Sequence, residues 1–351
     1  MRDDFCAFIL THGRADRVIT YDTLKRCGYT GKIYIVIDNE DKQADQYRAK
    51  YGDKVLMFDK AAIAKTFDEG DNFNDRRAII YARNACWDLA RHAGCRYFIQ
   101  LDDDYTKFIY KFNDEMMPGE WGCKNLDNIL ESFIRFLDSS KASSVALSQN
   151  GDHLGGAKST NFKAVKTKRK AMNSFICDVE RPFKFFGRIN EDVNTYTAGG
   201  RRGLLFFTVF GFSLNQKQTQ SNAGGMTDLY LDSGTYIKSF YSVMYCPSSV
   251  HVGVMGQTNK RLHHRINWNA TAPKIISDVH RKLLKYTDAH SHNPTNQPPP
   301  RPAADFREQK PLSCDLSGTA IRQDAACYRV AHSSAGRRDR RKARGVFLAK
   351  L

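Results

Sequence analysis

The chain has 351 residues, 41% of them hydrophobic and 12% aromatic, enough for one large domain or two modest ones with an ample core, so most of it should fold. Lys and Arg outnumber Asp and Glu by 54 to 38, a formal charge of +16 that suits a polyanionic or phosphate-bearing partner and also serves plain solubility. Nine cysteines without a Cys-x-x-Cys pair argue against a disulfide framework or a zinc ribbon; with no signal-like apolar N-terminus and no run of membrane-spanning length, the sequence reads as soluble and cytoplasmic.

Phe5 to Leu10 is an apolar strand that breaks at Thr11-His12-Gly13-Arg14. Ile33 to Ile37 repeats the pattern and ends in Asp38-Asn39-Glu40-Asp41, and Val55 to Phe58 is a third run ending at Asp59. Between the first two, Val18, Tyr21 and Leu24 fall at helical spacing within Arg17 to Cys27. This β-α-β alternation implies right-handed crossovers and a parallel sheet. From Asp75 to Ala93 the residues Ile79, Ala82, Cys86, Leu89 and Ala90 recur at three and four, an amphipathic helix that Gly94 ends. The strand Tyr97 to Leu101 follows at once and stops in Asp102-Asp103-Asp104. A helix over Asn125 to Leu137 and a strand over Ser144 to Leu147 come next.

The second half is less regular. Lys158 to Lys170 is dense in cations and poor in apolar residues, which predicts a basic loop. Asn190-Glu191-Asp192 opens a helix-like segment, and Leu204 to Phe210 and Ile237 to Tyr245 read as strands. Six of the ten prolines lie beyond residue 290, and Ala289 to Leu351 holds twelve Lys/Arg against five Asp/Glu, leaving +9 of the charge on the remainder. The expected organisation is therefore 1–152, 153–286 and a Pro-rich, basic, disordered tail over 287–351.

Three adjacent carboxylates repel one another, and a chain keeps them at a strand end when a cation or an exposed turn compensates the charge. Mg2+ and Mn2+ take oxygen ligands, commonly one or two carboxylates plus substrate phosphates, and Asp-x-Asp at a strand end supplies such a pair. A solvated acidic turn is the alternative. Two acids at the front of a helix, Glu191 and Asp192, are likewise either reactive groups or favourable partners of the helix dipole.

Ala82-Arg83-Asn84, the Ala- and Gly-containing helix, the apolar strand and Asp102-Asp103-Asp104, in that order, resemble the nucleotide-sugar domain of GT-A glycosyltransferases. The resemblance implies an α/β fold with a mostly parallel sheet flanked by helices and an acceptor-binding α+β second half. It places Thr11, Arg14 and Asp38 where the nucleoside is held and Arg83 near the nucleotide, although Arg83 read alone is an exposed helix residue. Asp102 would face ribose or metal, Asp104 would ligate the metal bridging the diphosphate, and Asp103 has no assigned role. Asn190-Glu191-Asp192 resembles the family's Glu-Asp element. There a carboxylate takes the acceptor proton in inverting members, with Asp192 the first candidate and Glu191 the second. A C-terminal His often completes the metal site; His251, His263 and His264 are the candidates, and His264 is favoured for its basic, Trp-containing surroundings.

The span from Phe5 to about Lys282, with Gly224-Gly225-Met226-Thr227-Asp228, Tyr245-Cys246-Pro247 and His263-His264-Arg265-Ile266-Asn267-Trp268, is similar to the phage-encoded TET-associated glycosyltransferases. This implies transfer of a hexosyl or pentosyl group from a nucleotide-diphosphate sugar, a UDP-sugar in the first instance, with Mn2+ or Mg2+ as cofactor. The acceptor implied is 5-hydroxymethylcytosine or a related hydroxymethylpyrimidine in phage DNA, in the cytoplasm of an infected host. Lys163, Lys166, Lys168, Arg169 and Lys170 offer the phosphate contacts such an acceptor requires. A saccharide or protein acceptor on the same fold, and a non-catalytic nucleic-acid-binding protein, are the competing readings.

Overall fold

Strand β1 (Phe5–Leu10) is buried along its whole length, and its alternate residues divide between two apolar layers. Phe5, Ala7 and Ile9 join one core; Cys6, Phe8 and Leu10 join the other. A strand buried on both faces belongs to the centre of a sheet covered by helices on each side. The computed structural model describes residues 1–71, 76–113, 117–153, 165–171, 173–216, 237–255 and 260–280. The chain separates into two units, Met1–Lys285 and Tyr286–Leu351. Lys158, Lys163, the Gly224 to Asp228 stretch and the expected tail lie outside the described residues.

In chain order α1 (Ile19–Arg26), β2 (Lys32–Asp38), α2 (Ala44–Tyr51), β3 (Val55–Phe58), α3 (Lys60–Ala64), α4 (Ile80–His92) and β4 (Tyr97–Asp102) build the first half. There follow β5 (Tyr105–Phe112), β6 (Pro118–Gly122), α5 (Leu126–Ser140), β7 (Ser144–Gln149), β8 (Val165–Lys166), β9 (Ser174–Asp178), α6 (Glu191–Arg201) and β10 (Phe206–Gln216). Helix α7 (237–245) precedes the hairpin β11 (Val250–Met255) and β12 (Arg261–Ile266), and α8 (Trp268–Thr271) follows it. The main sheet runs β3-β2-β1-β4-β9-β7-β10-β5-β6, with β8 against β10. Strands β3, β2, β1 and β4 are parallel, as the alternation predicts. Beyond them β9 is antiparallel to both β4 and β7, whereas β10 runs parallel to β7 and antiparallel to β5.

Helices α1, α2 and α5 cover one face of the sheet and α3, α4 and α6 the other. In α5 the buried Leu126, Leu130, Phe133, Ile134 and Leu137 follow the helical period closely. None of the described helices is long and apolar enough to cross a membrane, and the seven described cysteines are free and buried.

The segment 237–245, expected as a strand, is a helix. Its β-branched and aromatic content favours a strand locally, but Ile237, Tyr241 and Tyr245 stand four apart and share a helical face. Tertiary contacts decide the outcome: Asn190 Nδ2 donates to the Lys238 carbonyl and the Ser242 hydroxyl, and Tyr241 hydrogen-bonds Asp71. The helix expected from Asp75 begins at Ile80, and the strand expected to end at Phe210 continues to Gln216.

Gly28 closes α1 with φ +82°, and a Cβ there would lie 2.2 Å from the Lys124 carbonyl oxygen at the entry to α5. Gly28→Ala therefore meets both an unfavourable backbone and a backbone wall. It should destabilise the protein by about 2 kcal/mol or more in urea unfolding.

Candidate active site

The parallel register sets Leu10 beside both Val36 and Asp102, so the loop after β1, the end of β2 and the acidic turn after β4 meet at one edge. In open α/β sheets that carboxyl edge is where ligands bind. Thr20, fully buried in the first turn of α1, clamps the turn. Its hydroxyl donates to the Asp102 carbonyl at 2.6 Å and accepts the Tyr105 amide at 2.9 Å, while its own amide donates to the Asp103 carbonyl at 3.1 Å.

The three carboxylates have separate surroundings. Asp103 accepts from the Thr11 hydroxyl at 2.7 Å and from Arg14 at 3.1 Å, so it ties the first loop to the turn. Asp102 accepts from Arg83 at 3.1 Å. Asp104 receives only a long 3.4 Å contact from Gln216 on one oxygen, and its other oxygen is buried with no hydrogen-bond partner among the described residues. Burial pushes Asp102 up to about 7; Asp104 and Asp103 add to the rise and Arg83 opposes it. Burial, then Asp103, raises Asp104 as well. A cation at this turn would relieve both effects.

At the carboxyl end of β2, Asp38 is paired with His12 at 2.8 Å and with the buried Lys60 at 3.3 Å. Burial alone would raise its pKa, but His12 and Lys60 outweigh it and hold the carboxyl below its ordinary value. Asp41 caps the loop by accepting the Gly13 amide at 2.8 Å. The Tyr47 hydroxyl accepts the Arg14 amide and shares a 2.9 Å contact with Thr11.

Arg83 is buried, contrary to the exposed alternative, with 1% of its surface accessible. Its guanidinium lies over Phe175 and Phe185, 5.4 and 5.8 Å from their ring centroids. It donates to Glu191 at 3.0 Å, to Asp102 at 3.1 Å and to Asn173 at 3.3 Å. Burial works against its charge, but Asp102 and Glu191 raise its pKa above the arginine value. Glu191 and Asp192 occupy the first turn of α6, behind Asn190 in the left-handed region at φ 56°. Asp192 is buried, and burial together with Glu191 pushes its pKa up to about 6.

His264 sits in β12 opposite Val252, its Nδ1 3.3 Å from Asn190 Nδ2. Burial, His263 and Lys238 lower it to about 3, so the imidazole is neutral. Among the described residues no three His, Cys, Asp or Glu side chains converge as a ready metal cluster. Thus Asp102, Asp104 and His264 are not brought together as one ligand set, and the two carboxylates stand as a pair. In the basic loop, Arg169 and Lys170 hold the buried Asp152 at 2.8 and 3.2 Å, and Lys168 donates to Asn269 at 2.9 Å. The Lys166 ammonium lies 6.0 Å from the Phe210 ring centroid.

Sequence reasoning passed over His12, Thr20, Asn173, Gln216 and the tie made by Asp103. His12 carried a signal, since it lies in the first strand-end loop; the others act across long sequence separations.

Asp192 binds its proton more tightly folded than unfolded, so its contribution to stability is full below the ordinary carboxylate range and is lost as pH rises through about 6. His264 acts oppositely, because the unfolded imidazole gains a proton that the folded one refuses. The comparison of Asp192→Asn with the native protein isolates the first effect. The variant's relative stability should climb between about pH 4 and 6, by at most about 1.4 kcal/mol per unit, and then level off in pH-dependent urea unfolding.

No curated protein matches the sequence. Among solved structures, the crystal structure of TarS from S. aureus aligns with a TM-score of 0.38 and 12% identity, over 62% of this chain and 37% of that one. The chain thus spans little more than a third of the length of TarS. The family model described as TET-Associated Glycosyltransferase matches residues 5–225, which include β1, the acidic turn, Arg83 and the Glu191–Asp192 pair. With well over half of its length so matched, the chain belongs to the TET-associated glycosyltransferase family and is a glycosyltransferase.

Proposed function

We propose that the protein moves a sugar from a nucleotide-diphosphate sugar, a UDP-sugar, onto the hydroxyl of 5-hydroxymethylcytosine or a related hydroxymethylpyrimidine in DNA. The observation that carries this reading is the bridge made by buried Arg83 between the acidic turn after β4 and the Glu191–Asp192 pair of α6. One end suits a diphosphate and its cation; the other suits the proton of an attacking hydroxyl. Membership of the family supports the transfer, and the charge of +16 supports a polyanionic acceptor.

Asp102 and Asp104 provide the hard oxygen ligands that Mn2+ or Mg2+ takes alongside substrate phosphates, and the unpartnered Asp104 oxygen fits such an ion. The bound ion would neutralise charge developing on the leaving diphosphate. Thr11, Arg14, His12 and Asp38 line the nucleoside end, where carboxylate and hydroxyl groups suit ribose. Asp192, with a pKa of about 6, is ionised at neutral pH yet basic enough to accept the hydroxyl proton as the sugar transfers. Glu191 is committed to Arg83 and orients the pair. His264, neutral and bonded to Asn190, supports the turn that presents Asp192. Lys166, Lys168, Arg169 and Lys170 are the described loop cations that would meet DNA phosphates; Arg169 and Lys170 also hold Asp152, and Lys168 also donates to Asn269.

Hydroxymethylated DNA incubated with the protein, Mn2+ and a panel of nucleotide sugars should yield, on digestion and mass spectrometry, a nucleoside heavier by one glycosyl unit. Unmodified DNA should yield none. Asp104→Ala should lower the rate by at least about 100-fold and abolish the rise in melting temperature that Mn2+ gives the native protein. An undiminished rate would refute the metal role, and glycosylation of a saccharide but never of DNA would refute the acceptor.

A further inference from the structure

At the opposite end of β2 from Asp38 a groove of about 380 Å³ opens between α1, the start of β2 and the turn before β3. Tyr21, Lys25, Lys32, Tyr34, Asp53 and Lys54 line it. The Lys25 ammonium stands 4.1 Å from the Tyr21 ring centroid, and the Lys54 ammonium lies 5.8 Å from the same centroid and 3.2 Å from the phenol oxygen. Lys32 opens β2 and reaches the Cys95 sulfur at 3.8 Å. All three lysines are exposed.

Three lysines elsewhere in the fold stand in ion pairs. Lys60, Lys111 and Lys170 are each paired with a carboxylate. Neither Lys25 nor Lys32 nor Lys54 meets a carboxylate at ion-pair distance among the described residues, although Asp53 lies on the same groove. Lys25 and Lys54 flank one phenol and Lys32 lines the groove at the start of β2, and with Asp53 as the one acid of the lining they leave a local positive potential. The Tyr21 phenol registers it: burial works to raise its pKa, but hydrogen bonds to Lys25 and Lys54 bring it below the ordinary value.

The arrangement distinguishes among anionic ligands. A single phosphate is gripped by convergent donors, such as a guanidinium fork or the amides at a helix start. Here point charges are spread over separate elements with tyrosine rings between them, the pattern that follows a string of phosphates. Asp38 lies six positions beyond Lys32 along β2, roughly 20 Å at about 3.3 Å per residue. A duplex lying along that strand would need roughly six base pairs beyond the catalytic edge to reach the groove.

We propose that this groove is a second DNA contact, gripping the phosphodiester backbone of the acceptor away from the base that receives the sugar. It rests on the DNA-acceptor reading above. The contact makes affinity depend on acceptor length without touching the chemistry at Asp104 or Asp192.

The test uses the full chain and a variant carrying Lys25→Gln, Lys32→Gln and Lys54→Gln, with binding to a long hydroxymethylated duplex followed by fluorescence anisotropy over a salt series. The plot of log affinity against log salt should become shallower by about 2 to 3, each single variant accounting for about 1. KM for the long duplex should rise at least about tenfold with kcat unchanged, and KM for a duplex too short to span the roughly six base pairs should not move. If the triple variant melts early, the three single variants carry the same measurement. An unchanged salt slope, with native DNA binding intact, overturns the groove and leaves the acceptor reading standing. Failure of the native protein to bind DNA at low salt overturns both. Displacement of the DNA from native protein, but not from the triple variant, by inorganic pyrophosphate at matched ionic strength would make the groove a small-phosphate site and overturn the proposal.

Discussion

One buried guanidinium joins the acidic turn after β4 to the head of α6. Burying a cation costs several kcal/mol unless charge and hydrogen bonds compensate it. Arg83 is compensated by Asp102, Glu191 and Asn173 and by two phenylalanine faces. The relation is mutual, since the acids it holds would otherwise repel across a dry interior. A lysine would offer a compact point charge on a flexible stem. The planar fork of arginine reaches residues from β4 and α6 simultaneously.

The antiparallel strand β9 makes this possible. Its insertion between β4 and β7 sets Ser174 opposite Leu101, which brings Asn173, in the left-handed region at φ 58°, and Phe175 alongside Arg83. A purely parallel continuation of the sheet would put a crossover helix at that place. The second half of the chain thus supplies both the rings and the amide that allow a first-half arginine to be buried, and it supplies Glu191 as well.

The parallel half of the fold is legible because period and composition agree there. Phe5 to Leu10 and Val55 to Phe58 begin and end where the apolar runs do, and α4 is bounded by Gly94. Legibility fails where partners are remote. Helix α7 reads as a strand until Asn190 and Asp71 bind it, and β5 and β6, polar on one side, gave no clear run. The acids of the site stood out because three in a row violate a local rule. Their division of labour did not, since Thr11, Arg83 and Gln216 reach Asp103, Asp102 and Asp104 from three separate parts of the chain. The Glu191–Asp192 pair was legible through family resemblance more than through periodicity.

The tie between Asp103 and the first loop has a mechanical side. Thr11 and Arg14 bond its carboxylate, and Thr20 bonds its carbonyl, so the loop after β1 and the turn after β4 form one body with no hinge between them. The spacing of these two segments is then held by hydrogen bonds and is set before any ligand arrives. A second such brace is centred on Asn190, which joins the head of α6 to α7 and to the β11–β12 hairpin.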